Sequence, residues 1–394
     1  MHGFYERHRF LILFAVLSTL MGTSVGMAKI TTSLYAIDLH APEALLGLIA
    51  GAQTAGVLIM SLPIGHLVDR LGPARLFVTG TLLAGSLYVV LPLVASPWFL
   101  LGCTTAISFF MPMRFVSLNT VFMQQLEHVG EAKAGWYRGT HMAGMFLIGP
   151  LVASSAVALM GFAGTYWTIA AMFALTICVS PIIFGSYAER GTGGGRLRLR
   201  DIVAQLGLLR SERELRMTCL LEFAGQGVNA FYSFFIIVIA INQLHLGAGS
   251  ATVLINAEGL SFIATLFTMG GPLSRLGAAR SYAISLSLAV AALVVLGLAT
   301  SLNVLLAGGA LLGLALGCLQ IVNLTFFARI GARLGRGKVA GLTAMSGPAG
   351  SMAASLVGGA LGAVLGLQSA FLVFAAGFVL LALALGVRSR LAVA

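Results

Sequence analysis

Charge is scarce in this chain: 9% of its 394 residues are Asp, Glu, Lys or Arg, and only 12 are acidic. A soluble domain of ordinary composition carries about 25%, so water on all sides is excluded as its solvent. Cysteine is also sparse. Cys103, Cys178, Cys219 and Cys318 lie far apart, without metal-ligand or disulfide spacing, and read as small core residues. Catalytic signatures are missing: there is no H-E-x-x-H and no G-x-S-x-G, and the 7 histidines are scattered. An intramembrane enzyme needs a nucleophile and base, or metal ligands, at one depth, and no such set is present. The absence of G-x-x-x-x-G-K-[ST] excludes an internal ATP site. No polar segment except 187–216 exceeds a short connection, which leaves no output domain for a sensor or receptor.

What is abundant is apolar length. Hydrophobic residues make up 59% of the chain and mean hydropathy is +0.99. About 20 apolar residues cross a ~30 Å hydrocarbon core as helix. Twelve such spans are predicted, at 10–36, 44–66, 75–95, 98–121, 139–161, 165–186, 217–241, 250–270, 280–300, 303–325, 339–362 and 367–386. The expected fold is an all-α membrane protein with six spans in 1–188 and six in 217–394. Between them, 189–216 begins with the flexible run Gly191-Thr192-Gly193-Gly194-Gly195. Leu197, Ile202, Val203, Leu206 and Leu209 then follow at helical spacing, which predicts a cytoplasmic amphipathic linker. The first span follows Arg7 and Arg9 and lacks a convincing cleavage site, so it reads as the first bundle helix rather than a removed signal.

The net charge of +11 raises nucleic acid as a partner, and the placement of the basic residues argues against it. Of 23 Lys and Arg, all but Lys29 and Arg114 fall at the termini or in loops after even-numbered spans. This is the positive-inside pattern. It places both termini and the linker in the cytoplasm of a multi-pass protein of a bacterial inner membrane, its basic face toward anionic lipid.

The chain is doubled. Gly65-His66-Leu67-Val68-Asp69-Arg70-Leu71-Gly72-Pro73-Ala74-Arg75 after span 2 echoes Gly270 to Arg280 after span 8, with Arg275, Gly277 and Arg280 retained and Ser274 in place of the aspartate. Arg114 to Leu118 lines up with Gln320 to Leu324, and Gly149-Pro150 with Gly347-Pro348. Internal repeats with a midplane site at their interface are a transporter architecture. Twelve spans as six plus six, with G-x-L-x-D-R-x-G met by Gly65, Leu67, Asp69, Arg70 and Gly72, resemble the major facilitator superfamily over essentially the whole chain. The resemblance implies a gating loop formed by Gly65, Asp69, Arg70, Gly72, Arg75 and Arg275, with Asp69 facing the positive end of a span 11 helix. Pro73 and Ala74 stand where the family usually has basic residues. Span 5, with Gly139, Gly144 and Gly149-Pro150, is similar to the glycine-proline motif of antiporter branches, although Met145, Ala153 and Ser154 occupy positions where the family has glycine. Tight packing and a kink at Gly144, Gly149 and Pro150 are expected on either reading.

Four ionisable residues lie at membrane depth: Lys29, Arg114, Glu222 and Glu258. Each costs about 2.5–3.5 kcal/mol on insertion scales and usually faces a cavity or a partner. The resemblance implies that spans 1, 4, 7 and 10 line a central cavity. Arg114 with Ser117 in span 4, Gln320 with Asn323 in span 10, and Lys29 in span 1 are then candidate solute ligands. Glu222, Gln226 and Asn229 fall at i, i+4 and i+7 on one helix face. Glu222 and Glu258 are the candidate proton-coupling carboxylates. Pairs of Arg114 with Glu222 and of Lys29 with Glu258 would alternate as cytoplasmic and periplasmic closures. His141 is a weaker proton-path candidate. The expected function is secondary active transport of a small organic solute, by proton-coupled efflux or, alternatively, by symport of an anionic or zwitterionic solute. The expected partners are the solute and the lipid bilayer, with a monomer as the unit and no cofactor beyond the proton gradient.

Overall fold

A computed structural model describes residues 2–129, 134–187, 207–334 and 336–391, and among these every regular element is helical. Hydrocarbon offers no hydrogen bonds, so each spanning segment must satisfy its own backbone, which a helix does. The spans run His2–Asp38, Glu43–Leu71, Pro73–Val90 and Pro97–Val129. Spans 5 and 6 form Ala134–Ala143, a π-helical turn Gly144–Ile148, and Gly149–Tyr187. The second half follows as Arg213–Val238 (span 7), Ala248–Thr268 (8), Ala278–Gly297 (9), Leu302–Leu334 (10), Arg336–Leu365 (11) and Ser369–Leu391 (12). Among the described residues, ten helices are long and apolar enough to cross a membrane. One of them, Gly139–Gly185, is 47 residues long and holds spans 5 and 6, while Ser369–Leu385 is a shorter apolar helix. Gly161 at φ 68° breaks the long one in two, which, with Ser369–Leu385 counted, matches the twelve expected segments in number. Most of the expected linker, 188–206, lies outside the described residues.

The chain forms two compact units, Met1–Leu39 with Ala55–Leu197, and His40–Thr54 with Arg198–Ala394. The start of span 2 thus belongs to the second unit, where Gly47 sits against Gly359 of span 11. The rest of span 2 packs in the first unit, where the Gly56 amide donates to the Ser108 hydroxyl at 2.9 Å. The first unit's core joins Phe10, Phe14 and Met21 of span 1 to Phe122 of span 4 and Phe184 of span 6. Phe14 and Phe122 have ring centroids 4.7 Å apart. In the second unit, Leu215 and Cys219 of span 7 pack against Phe327 and Ile330 of span 10 and Leu342 of span 11.

Two helix pairs meet backbone to backbone, at equivalent places of the repeat. In the first unit, a Cβ on Gly149 would lie 2.8 Å from the Gly26 Cα, and Gly144 abuts Thr19 and Thr23 of span 1. In the second, a Cβ on Gly227 would lie 2.9 Å from the Gly350 carbonyl. Without a hydrophobic force between helices in lipid, such small-residue contacts supply the packing. Pro150 has no amide to donate and its ring crowds the carbonyl four residues back. The helix accommodates it by widening into the π turn Gly144–Ile148.

The doubled loop has a doubled geometry. Gly72 adopts φ 82°, ψ 147° and Gly277 φ 76°, ψ 161°, each separating two helices. Only glycine takes this conformation without strain. Replacing Gly350 with Leu should displace span 11 from span 7 and destabilise the fold by about 1–3 kcal/mol. That is a melting temperature lower by several degrees in a fluorescence-monitored thermal scan. Gly102→Leu, at a position with open space around it, should leave the transition where it is.

Candidate functional site

Span 7 carries the polar stripe predicted from its spacing, and the structure gives each member a partner. Glu222 is buried at 6% exposure, and both its oxygens accept amide hydrogens. The Gln226 Nε2 donates to Oε1 at 3.1 Å and the Asn323 Nδ2 donates to Oε2 at 2.9 Å. The same Gln226 nitrogen donates to the Gln320 Oε1 at 3.0 Å. The Tyr282 hydroxyl of span 9 donates to the Asn323 Oδ1 at 3.0 Å, which turns that amide's nitrogen toward the carboxylate. Charge-assisted bonds of this kind are about twice as strong as neutral ones. They compensate a carboxylate that would otherwise be far too costly at this depth.

One helical turn further along, the Asn229 Nδ2 donates to the Glu258 Oε1 of span 8 at 3.2 Å. Glu222, Gln226, Asn229, Gln320 and Asn323 line one narrow cleft of about 10 Å³ within the second unit, room for about one water, with Phe262 among its apolar walls. The structure thus brings together five polar residues singled out from sequence, and joins Glu258 to them through Asn229. Tyr282 was missed by sequence reasoning. Its signal was the single tyrosine of span 9, on a helix that the resemblance does not assign to the cavity.

The first unit treats its charge differently. Arg114 is fully buried, its guanidinium carbon 3.7 Å from the centre of the Phe173 ring, with Phe77 at 6.0 Å. One nitrogen donates to the Thr176 hydroxyl at 3.3 Å and another points at the Met111 sulfur at 3.9 Å. A guanidinium over a ring face is held by the ring quadrupole. Arg114 is thereby enclosed by spans 3, 4 and 6, and Ser117 is buried beside it on the same helix. Arg114 and Glu222, paired in the sequence reading, each make these contacts inside their own unit. The Lys29 carbonyl accepts the Ser33 hydroxyl at 3.2 Å. His141 approaches the Ser18 carbonyl at 3.3 Å through Nδ1 and meets Phe115 edge to face. In the loop motif, Arg70, Arg75 and Arg275 are exposed, while the surroundings of Gly65 and the side chain of Asp69 lie outside what is described.

The amide cluster makes a thermodynamic prediction. Asn323→Leu should destabilise the protein by about 1–3 kcal/mol, because it strips a donor from a buried carboxylate. Combined with Glu222→Gln, the loss should be clearly smaller than the sum of the two single losses, by about 0.5–3 kcal/mol of coupling. Strict additivity in chemical or thermal unfolding would mean that the two side chains do not interact.

The comparisons with known proteins agree with this architecture. The family model of the Major Facilitator Superfamily matches residues 12–268 and again 218–392. No curated protein matches in sequence. Among solved structures, the nucleoside transporter NupG aligns with a TM-score of 0.78 at 17% identity, covering 96% of this chain and 98% of its own. A bacterial homologue of the human lysosomal transporter Spinster, inward-facing and unoccupied, gives 0.77 at 13% identity, over 98% and 97% of the two chains. A POT family transporter in complex with a thioalcohol-conjugated peptide gives 0.81 at 12% identity, over 97% and 96%. At these identities the solved structures show the fold, and the family model covers nearly the whole chain. The chain belongs to the major facilitator superfamily, and is a membrane transporter working by alternating access rather than an enzyme.

Proposed function

We propose that this transporter exports a small organic solute across the bacterial inner membrane in exchange for protons, with Glu222 as the coupling carboxylate. The observation that carries the reading is the position of Glu222: a buried carboxylate in a cleft, clasped by amides from span 7 and span 10. Protonating it removes an acceptor of two charge-assisted bonds and frees Gln226 and Asn323 to bond a solute instead. Proton uptake and solute contact thus share the same hydrogen-bonding groups.

The cleft's chemistry also constrains the solute. Its polar wall is one carboxylate and four amides. That wall suits a molecule offering hydroxyl, amine or amide hydrogens, such as a sugar, an amine-bearing drug or, as for the nucleoside transporter NupG, a nucleoside. A carboxylate-bearing metabolite or metallophore would find no cation in this wall. The glycine contact between spans 1 and 5 supports export, by its similarity to the antiporter motif. Asp69, Arg70 and Arg75 are proposed to latch the cytoplasmic loop.

The test compares spent medium and cell extract from a deletion strain, the complemented strain, and a strain complemented with Glu222→Gln. Complementation should raise one compound outside and lower it inside, and the Glu222→Gln strain should match the deletion strain. Faster depletion of a medium component on complementation would mean import, the symport alternative.

A further inference from the structure

The back of span 7, opposite the polar stripe, borders a second hollow. Spans 7, 11 and 12 of the second unit enclose a groove of about 320 Å³ lined entirely by apolar residues and glycine. Its floor is made of small residues, among them Ala224 and Gly227 of span 7 and Ala354 of span 11, and Phe378 of span 12 lies along its wall. Its rim is exposed, with Leu220 at 43%. A hollow of this kind left empty forfeits dispersion contacts along its whole lining. In a bilayer the medium at its mouth is hydrocarbon.

The groove has a charged foot. Arg213, Leu220, Ala224 and Gly227 fall at i, i+7, i+11 and i+14, within one face of the helix. Arg213 is exposed at the polar end of span 7, about 10 Å along the helix axis from Leu220. The last groove residue of span 7, Val228, is about 22 Å from Arg213. Half of a ~30 Å hydrocarbon core, plus the headgroup layer in which an arginine resides, spans a similar depth. A cation at headgroup level stands directly below an acyl-sized apolar trough.

We propose that this groove is a site for one anionic phospholipid, its acyl chain along the trough and its phosphate on Arg213. The occupant is a lipid rather than a second protein because the trough is floored by alanine and glycine and lies in line with Arg213, whose neighbours Glu212 and Glu214 are both ion-paired to Arg333. The site is independent of transport direction and substrate. Its consequence for transport is mechanical, since the lipid backs the helix whose other face carries Glu222, Gln226 and Asn229.

The test uses the full-length protein with its 3 tryptophans, Trp98, Trp136 and Trp167, replaced by phenylalanine. A reporter Phe378→Trp is placed in the groove and a control Leu380→Trp on the exposed face of span 12, where Leu380 is 67% exposed. Each is reconstituted in phosphatidylethanolamine bilayers in which either the minor phosphatidylglycerol or an equal amount of phosphatidylethanolamine carries brominated acyl chains. The groove reporter should be quenched about fivefold more effectively by brominated phosphatidylglycerol, equivalent to about 1 kcal/mol for one arginine at an anionic surface. The control should show no preference. Arg213→Gln should abolish the preference, and Ala354→Phe, which fills the trough, should abolish the quenching. If Phe378→Trp does not fold, Leu381→Trp reports from the same groove. Equal quenching by the two lipids, a preference that survives Arg213→Gln, or no quenching because another copy covers the groove would each overturn the proposal.

Discussion

A buried carboxylate has to be met by the protein when the surroundings are hydrocarbon, and the second unit is arranged around that demand. Glu222 is 6% exposed and has to find its partners within the protein. Gln226, Asn323, Gln320 and Tyr282 therefore converge from spans 7, 10 and 9 to hold it. Each of those side chains is itself polar, and they satisfy one another. Remove the carboxylate and the amides lose their reason to be there. Well-packed apolar residues would stabilise the helices at least as well, so stability alone does not account for the cluster.

The second constraint is proximity. Spans 1 and 5, and spans 7 and 11, touch through glycine, and the two pairs are copies of one design in the repeat. Close backbone contact fixes the rotation of span 7 about its own axis. That rotation points Glu222, Gln226 and Asn229 into the cleft and Leu220, Ala224 and Gly227 toward the groove. The packing and the chemistry are therefore two faces of the same helix. The first unit meets its own buried charge with aromatic rings and a hydroxyl, and Arg114 is stabilised by Phe173 rather than by a carboxylate.

Much of this was readable in the sequence. Apolar length and the distribution of arginine and lysine predicted the helices, because in lipid the backbone has few alternatives. The doubled glycine of the loops was visible as Gly72 and Gly277, and both take the left-handed conformation. The stripe of Glu222, Gln226 and Asn229 was legible because helical periodicity alone sets it. Tyr282 was not, since its role depends on which face of span 9 meets span 10, a matter of packing rather than period. The surroundings of Arg114 were not legible either. Periodicity gives the face of span 4 on which an arginine lies, but the ring that covers it comes from Phe173, 59 positions later in the chain. The start of span 2 was read as part of the first half, and its grouping with the second unit follows from the Gly47 and Gly359 contact, which no local pattern announces.

The measurement that bears most directly on the role of the Glu222 cleft is its access to water. In a background with Cys103, Cys178, Cys219 and Cys318 replaced by serine or alanine, single cysteines at Gln226 and Asn229 would be compared with single cysteines at Leu220 and Ala224 on the opposite face of span 7. A membrane-impermeant maleimide added to inverted and to right-side-out vesicles reads the exposure of each. A solvent-lined transport pathway predicts labelling at Gln226 and Asn229 and little at Leu220 and Ala224. Labelling confined to Leu220 and Ala224, or none at Gln226 and Asn229 from either side, would contradict it and leave the amide cluster as a structural clasp.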